Sequence, residues 1–213
     1  MDTNRDPSIR DAATLIVIAR NPQPSVLMGR RPATARFMPG VYVFPGGAVE
    51  AQDSRIPVSG SPRYPARLSM DAAMARSLPV CAIRETYEET GILIGASPVD
   101  PDRDLSIQVE EQGGLQLHDL QYLGRAITPP TMKLRFHARF FMCVVDQPIA
   151  TDTDSEELED LQWVSLPAIQ LPAAPITEYM LKECWRRVNE NFNPDLEPLC
   201  FRWENGERVI SFE

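Results

Sequence analysis

The stretch "RETYEETG", Arg84–Gly91, places Glu85, Glu88 and Glu89 within five residues. Its flanks read as a helix. Ser77 is a candidate N-cap, and Pro79 sits near the start, where a missing N–H does little harm. Gly91 would close the helix as a left-handed residue. At about 100° per residue, Glu89 lies about 40° to one side of Glu85 and Glu88 about 60° to the other. The three carboxylates therefore share one stripe, with Val80, Ile83 and Tyr87 on roughly the opposite face and available for burial. Like charges at these spacings cost roughly 0.2–0.5 kcal/mol each when exposed. Arg84 can offset one of them through Glu88 at i,i+4. Glu85 and Glu89 have no basic residue at helical spacing, because Cys81, Ile92 and Leu93 stand there. Two readings follow: a solvated acidic face, or a site for a hard divalent cation such as Mg²⁺, which prefers oxygen ligands.

The surrounding segments supply a context. "MPGVYVFPGG" (Met38–Gly47) holds a short strand, Val41–Phe44, ending in a Pro-Gly-Gly turn whose glycines allow close backbone approach. "ATLIVIAR" (Ala13–Arg20) and "SVLMGR" (Ser25–Arg30) are apolar runs joined by "NPQP" and read as paired strands. Residues 51–69 are rich in Pro, Ser, Gly and Arg and read as a loop, followed by a short helix, Ser69–Ser77, capped by Ser69. Downstream, "LQYLGRAITPP" and "LRFHARFFMCVV" read as strands, and "SEELEDLQWVSL" turns from acidic to apolar. Thr177–Phe192 is an amphipathic helix, with Tyr179, Leu181, Trp185 and Val188 near helical spacing. "CFRWENGERVISF" is a hairpin turning on Asn205–Gly206. No repeat or linker interrupts the chain, so a single α/β or α+β domain over 1–213 is the simplest organisation.

The pairing of the Gly-Gly turn with "RETYEETG" resembles the Nudix hydrolase family. The family's signature runs Gly, five residues, Glu, seven residues, then Arg-Glu-(apolar)-any-Glu-Glu-any-Gly-(apolar). Arg84, Glu85, Glu88, Glu89, Gly91 and Ile92 match its second half, with Thr86 at the apolar position, and Gly47 matches its opening glycine. Five residues after Gly47 stands Asp53, one methylene shorter than the family's Glu, and thirty residues rather than seven separate it from Arg84. An insertion over 51–79 accounts for the difference, and its composition suits a surface excursion.

The resemblance implies an α/β/α sandwich with a mixed central sheet, and hydrolysis of a nucleoside diphosphate linked to another group. It implies Mg²⁺ or Mn²⁺ held by Glu85, Glu88 and Glu89. Glu50 is a candidate for a ligand or a supporting role, and Arg84 for holding the carboxylates without touching substrate. The family's water-activating base varies between the helix and a distant loop. Here Glu85 and Glu88 are the helical candidates, and Glu156 and Glu157 the distant ones. Glu157 is preferred because it precedes Trp163 by six residues, a spacing familiar in the family. Plain solvation is the alternative for this acidic loop.

Two basic groups could meet substrate phosphates, for which arginine is suited. Arg30 and Arg31 precede the Gly-Gly turn, and Lys133, Arg135, His137 and Arg139 share one face of a strand by period-two spacing. These segments, with the insertion, are similar to the branch that includes the peroxisomal acyl-CoA diphosphatases. That implies CoA or acyl-CoA, cut to 3′,5′-ADP and a phosphopantetheine moiety. ADP-ribose or a dinucleotide such as NADH is the alternative substrate. A module that senses a nucleotide without cutting it, and an interaction scaffold, are the alternatives to an enzyme.

Composition narrows the partners. Hydrophobic residues make up 43% of the 213-residue chain, which suits a folded protein. A net charge of −9 disfavours nucleic acid and anionic membranes, and an anionic substrate then needs local basic groups or bound cations. Cys81, Cys143, Cys184 and Cys200 form no CxxC pair and read as buried reduced thiols of a cytoplasmic protein. There is no apolar run of membrane-spanning length, the first residues lack the apolar core of a signal peptide, and "ISFE" is not a sorting address. The C-terminal helix and hairpin, 177–213, could support a homodimer.

Overall fold

The unbroken apolar run Leu15–Ala19 lies in β1 (Ile9–Ala19), which is buried on both faces at the heart of a mixed sheet. The computed structural model describes residues 9–64, 70–151, 155, 157–166, 170–193 and 195–212. Within them the next strands are β2 (Ser25–Arg30), β3 (Tyr42–Val43), β4 (Gly46–Ala48) and β5 (Val58–Ser59). Helix α1 (Ala72–Thr90) and the short α2 (Leu105–Glu111) come next, then β6 (Leu115–Gln116), β7 (Gln121–Ile127), β8 (Arg135–Val145) and β9 (Glu159–Ser165). Helix α3 (Pro175–Asn189) and the hairpin β10 (Leu199–Glu204) and β11 (Glu207–Phe212) complete the order.

β1 runs parallel to β8 along its whole length and antiparallel to β2. Outside β8 lie β7, then β10 and β11; outside β2 lie β3 and β9; and β4 pairs with the first half of β1. Alternation along the strands splits the core in two. Ala13, Leu15 and Val17 face α1, packing with Leu78, Val80, Ile83 and Phe141. Ile16 and Ile18 face α3, packing with Met28, Met180, Leu181 and Phe201. The result is an α/β/α sandwich with a mixed central sheet. All four cysteines are buried and free, and no helix of the described residues is long and apolar enough to cross a membrane.

The region between the Gly-Gly turn and the glutamates differs from its sequence reading. Residues 51–69 are not a plain loop: Ala51–Ser54 form a 3-10 turn, and β5 pairs with β6. The two helices expected around Pro79 are one. Asp71 caps α1, accepting from the Ala73 and Met74 N–H groups at 3.0 and 3.3 Å. Pro79 has no N–H to give the Ala75 carbonyl, and the Tyr64 hydroxyl donates to that carbonyl instead, at 2.9 Å. Ser77 is therefore a buried residue within the helix, and Ser69 lies outside the described residues. Gly91 closes α1 with a φ of 73°, and the strand expected over Val41–Phe44 is confined to Tyr42–Val43.

Candidate active site

The Gly-Gly turn and the glutamate helix are fitted to each other. The Gly46 N–H donates to Glu89 Oε2 at 2.9 Å. Gly47 lies against Glu85 so closely that an added Cβ would fall on the carboxyl carbon and both its oxygens. Thr86, at the apolar position of the motif, is fully buried, and its hydroxyl is satisfied by the Ala82 carbonyl at 2.7 Å.

Arg84 and Asp53 form the base of this arrangement. Asp53 has no solvent exposure and accepts from Arg84 Nε at 2.7 Å and Nη2 at 3.3 Å. It also accepts from the Glu50 N–H at 2.7 Å, which closes the 3-10 turn. Arg84 Nη1 reaches Glu85 at 3.0 Å and Glu88 at 2.7 Å, and Nη2 reaches the Ala48 carbonyl at 3.3 Å. Burial alone would lower the Arg84 pKa, but the bond to Asp53 and the charges of Glu85 and Asp53 reverse this and hold it above its usual value. One guanidinium thus spans the insertion, the Gly-Gly strand and the helix stripe.

The third carboxylate of the site comes from across the molecule. Just before β9, Leu158 is buried against Gly29 of β2, where a side chain would collide with Leu158 Cβ at 2.9 Å. Glu157, the residue before it, is carried to the helix. Ligand oxygens of Glu85, Glu89 and Glu157 can all lie within 4.8 Å of one another. Burial pushes the Glu85 carboxyl up to about 7, against the opposing charge of Arg84. Burial likewise pushes Glu89 up to about 8, the Gly46 N–H opposing and the Glu85 and Glu157 charges adding to it. Three hard oxygen donors in a partly dry, self-repelling group suit a divalent cation, which would relieve both the repulsion and the desolvation.

The other residues singled out in the sequence lie around this cluster. Glu88 is not among the three; its carboxylate is half exposed and paired with Arg84. Glu50 is exposed and accepts from the Gln52 amide at 2.8 Å. Glu156 lies outside the described residues.

On the α3 side of the sheet lies a cleft of about 440 Å³ whose lining includes Gly46, Gly47 and Glu157. Its walls are mainly apolar, including Phe37, Met132, Phe136, Phe201 and Trp203. Arg31 lines it, and its charge weakly opposes the rise in the Glu89 pKa, while Arg30 points away to Glu159 at 3.1 Å. Arg135 and Arg139 do not line it. The alternation that puts Phe136, Ala138 and Phe140 in the cleft turns 135, 137 and 139 to the α1 face, where Arg139 pairs with Asp11 at 2.5 Å. Arg10, not singled out in the sequence, does line the cleft, its guanidinium 5.9 Å from the Phe136 ring centre. Its only signal was its period-two spacing with Ala12 and Thr14.

Comparison with known proteins bears on the family of the chain. No family model matches the chain. The acyl-coenzyme A diphosphatase NUDT19 of Gallus gallus is 26% identical over 249 residues, covering 83% of this chain and 64% of that protein. The putative nudix hydrolase 7 of Caenorhabditis elegans is 28% identical over 171 residues, covering 74% of this chain and 52% of that protein. This chain therefore spans about half to two-thirds of the length of these curated relatives. The crystal structure of a NUDIX hydrolase from Alicyclobacillus acidocaldarius superposes with a TM-score of 0.70 at 35% identity, covering 82% of this chain and 90% of that one. Identity at that level over nearly the whole of a solved structure goes beyond a shared sandwich fold. The chain belongs to the Nudix hydrolase family.

Proposed function

We propose that this protein is a divalent-cation-dependent hydrolase that cuts the diphosphate linkage of a nucleoside diphosphate derivative, with CoA or an acyl-CoA as the favoured substrate. The observation that carries the reading is the meeting of Glu85, Glu89 and Glu157, the last of which also lines a mainly apolar cleft. A cofactor-sized group fits a cleft of this kind, and the NUDT19 relative, an acyl-coenzyme A diphosphatase, points to an acyl-CoA.

The residues divide the work. Glu85, Glu89 and Glu157 would hold Mg²⁺ or Mn²⁺, with Glu88, on the same helix stripe, as a further ligand. The bound cation supplies neutralisation of the diphosphate charge and orientation of water. Glu157, the most exposed of the three converging carboxylates, takes the proton of the attacking water. The water oxygen bonds to one phosphorus, the bridging P–O bond breaks, and the second phosphate leaves as an anion. Arg31 meets diphosphate oxygens from the cleft side, and the apolar walls take the rest of the molecule. Arg84 keeps Glu85 and Glu88 in place, and Gly47 keeps the space that Glu85 needs.

The test is a metal-supplemented screen of CoA, acyl-CoAs, ADP-ribose and NADH, read by product mass. The expected products are 3′,5′-ADP and phosphopantetheine or its acyl form, with turnover nearly abolished in Glu88→Gln and Glu157→Gln. Tight nucleotide binding with no metal-stimulated product would overturn the catalytic reading in favour of a sensor. Products only from ADP-ribose or NADH would overturn the substrate assignment alone.

A further inference from the structure

We infer that Tyr42 is a positioning residue for Glu157: by holding Asp160, its hydroxyl fixes a bulge in β9 that brings Glu157 to Glu85 and Glu89. The inference rests on the role given to Glu157 above.

The bulge is visible in the register. Gln162 of β9 stands opposite Met28 of β2, but Glu159 stands opposite Arg30, so β9 carries one residue more than β2 between these pairs. The extra residue is taken up at Asp160, which has a φ of 50°. That is the left-handed region, where a bulge commonly places a glycine and where Asp is one of the few tolerated alternatives. Side chains alternate along a strand, so a one-residue change of register reverses the direction of everything before it. Leu158 reaches Gly29, and Glu157 reaches the helix, only with the bulge in place.

Three side chains hold that backbone. The Tyr42 hydroxyl donates a hydrogen bond to the Asp160 carboxylate. The Gln162 amide reaches the same carboxylate at 3.4 Å and the Tyr42 oxygen at 3.1 Å. Tyr42 is itself firmly placed. It is 7% exposed, pairs with Arg30, and donates its N–H to the Pro172 carbonyl at 2.8 Å. Four residues later the chain reaches Gly46, at the start of β4, whose N–H binds Glu89. Tyr42 therefore joins the two arms of the cluster: the turn that seats the helix carboxylates, and the bulge that delivers the third. A tyrosine present only to fill the core would not need its hydroxyl aimed at the left-handed residue of β9.

The experiment measures Mn²⁺ affinity of the full chain, stripped of metal, by electron paramagnetic resonance of the free ion. Wild type is compared with Tyr42→Phe, Glu157→Gln and the double variant. Tyr42→Phe should weaken Mn²⁺ binding about 10–100-fold, the usual effect of losing a residue that orients a ligand. The double variant should bind no more weakly than Glu157→Gln. Asp160→Ala should match Tyr42→Phe, and Asp160→Asn, which keeps an acceptor and tolerates the left-handed backbone, should restore binding. This Asp160 pair reads the same contact from its other side if Tyr42→Phe does not fold. The inference is overturned if Tyr42→Phe binds Mn²⁺ like wild type while Glu157→Gln does not, or if the two losses multiply. Wild-type Mn²⁺ binding in Glu157→Gln, whatever its turnover, is a different pattern, and it removes Glu157 as a ligand and this inference together.

Discussion

Replacing Asp53 by Ala tests whether the insertion is part of the active site or an ornament on it. Asp53 has no exposure, and its partner Arg84 has only 4% side-chain exposure. Removing one member of a buried ion pair typically costs about 3–5 kcal/mol, because the other charge is left in a dry place. Arg84 keeps Glu85 at 3.0 Å, Glu88 at 2.7 Å and the Ala48 carbonyl at 3.3 Å, which puts the ion-pair loss at the lower end of that range. The variant also loses the acceptor for the Glu50 N–H, worth about 1 kcal/mol as a cap. The sum is about 4 kcal/mol. For a chain of this size that corresponds to a fall in melting temperature of about 8–16 °C.

The functional consequence follows from where the guanidinium goes. Freed from Asp53, it has only the helix carboxylates as charged partners, so it competes with the cation for Glu85. Metal affinity should fall about tenfold as well. Asp53→Asn keeps the shape and one acceptor oxygen and should fall between wild type and Ala. Asp53→Glu installs the acid usual in the family, but the site has no exposure to accept a further methylene, so it should cost about 1–3 kcal/mol. Thermal unfolding and Mn²⁺ titration of the three variants check the set. A melting temperature and a metal affinity both unchanged in Asp53→Ala would refute the role of Asp53 as the anchor of Arg84.

The remaining predictions concern the carboxylates and the turn. Glu85 and Glu89 titrate near 7 and 8 in the folded chain, above the unfolded glutamate value of about 4.3, so the folded state holds extra protons in between. Without metal, stability should therefore fall as pH rises from about 4.3 to 8, by up to about 1.4 kcal/mol per pH unit for each group. Denaturant titration in EDTA at pH 5.5 and 8.5 checks the sign. Saturating Mg²⁺ should reverse the trend, and calorimetry in buffers of different ionisation enthalpy should detect proton release on metal binding near pH 6.5. Gly47→Ala places a Cβ on the Glu85 carboxyl, so the protein should fold with Mg²⁺ affinity and turnover both reduced at least tenfold, read by titration and by product assay.

What could be read from the sequence was whatever depends on local periodicity. The strands 25–30 and 135–145 and the hairpin at Asn205–Gly206 each follow from side chains a few residues apart, and the structure has them in place. What could not be read depends on partners distant in sequence. Pro79 argues for a helix start by every local rule, and only the Tyr64 hydroxyl, fifteen residues upstream, makes it tolerable inside α1. Asp53 looks like a weakened motif residue, yet it is the fully buried partner of Arg84. The face of β8 that lines the cleft could not be chosen from its alternation, because Arg135, His137 and Arg139 mark one face as clearly as Phe136, Ala138 and Phe140 mark the other.

The thirty-residue gap between Asp53 and Arg84 carries the same lesson into the site. In a short motif the chain itself keeps turn and helix together. Here the chain leaves after Asp53 and returns at Asp71 to begin a helix that runs more than three turns before it reaches Arg84. That tether is too long to hold the turn and the carboxylates in register. The Asp53–Arg84 pair, the Gly46–Glu89 hydrogen bond and the close approach of Gly47 to Glu85 do so instead. An insertion is tolerable at this point because its first residues turn inward to make the contact that covalent proximity no longer supplies.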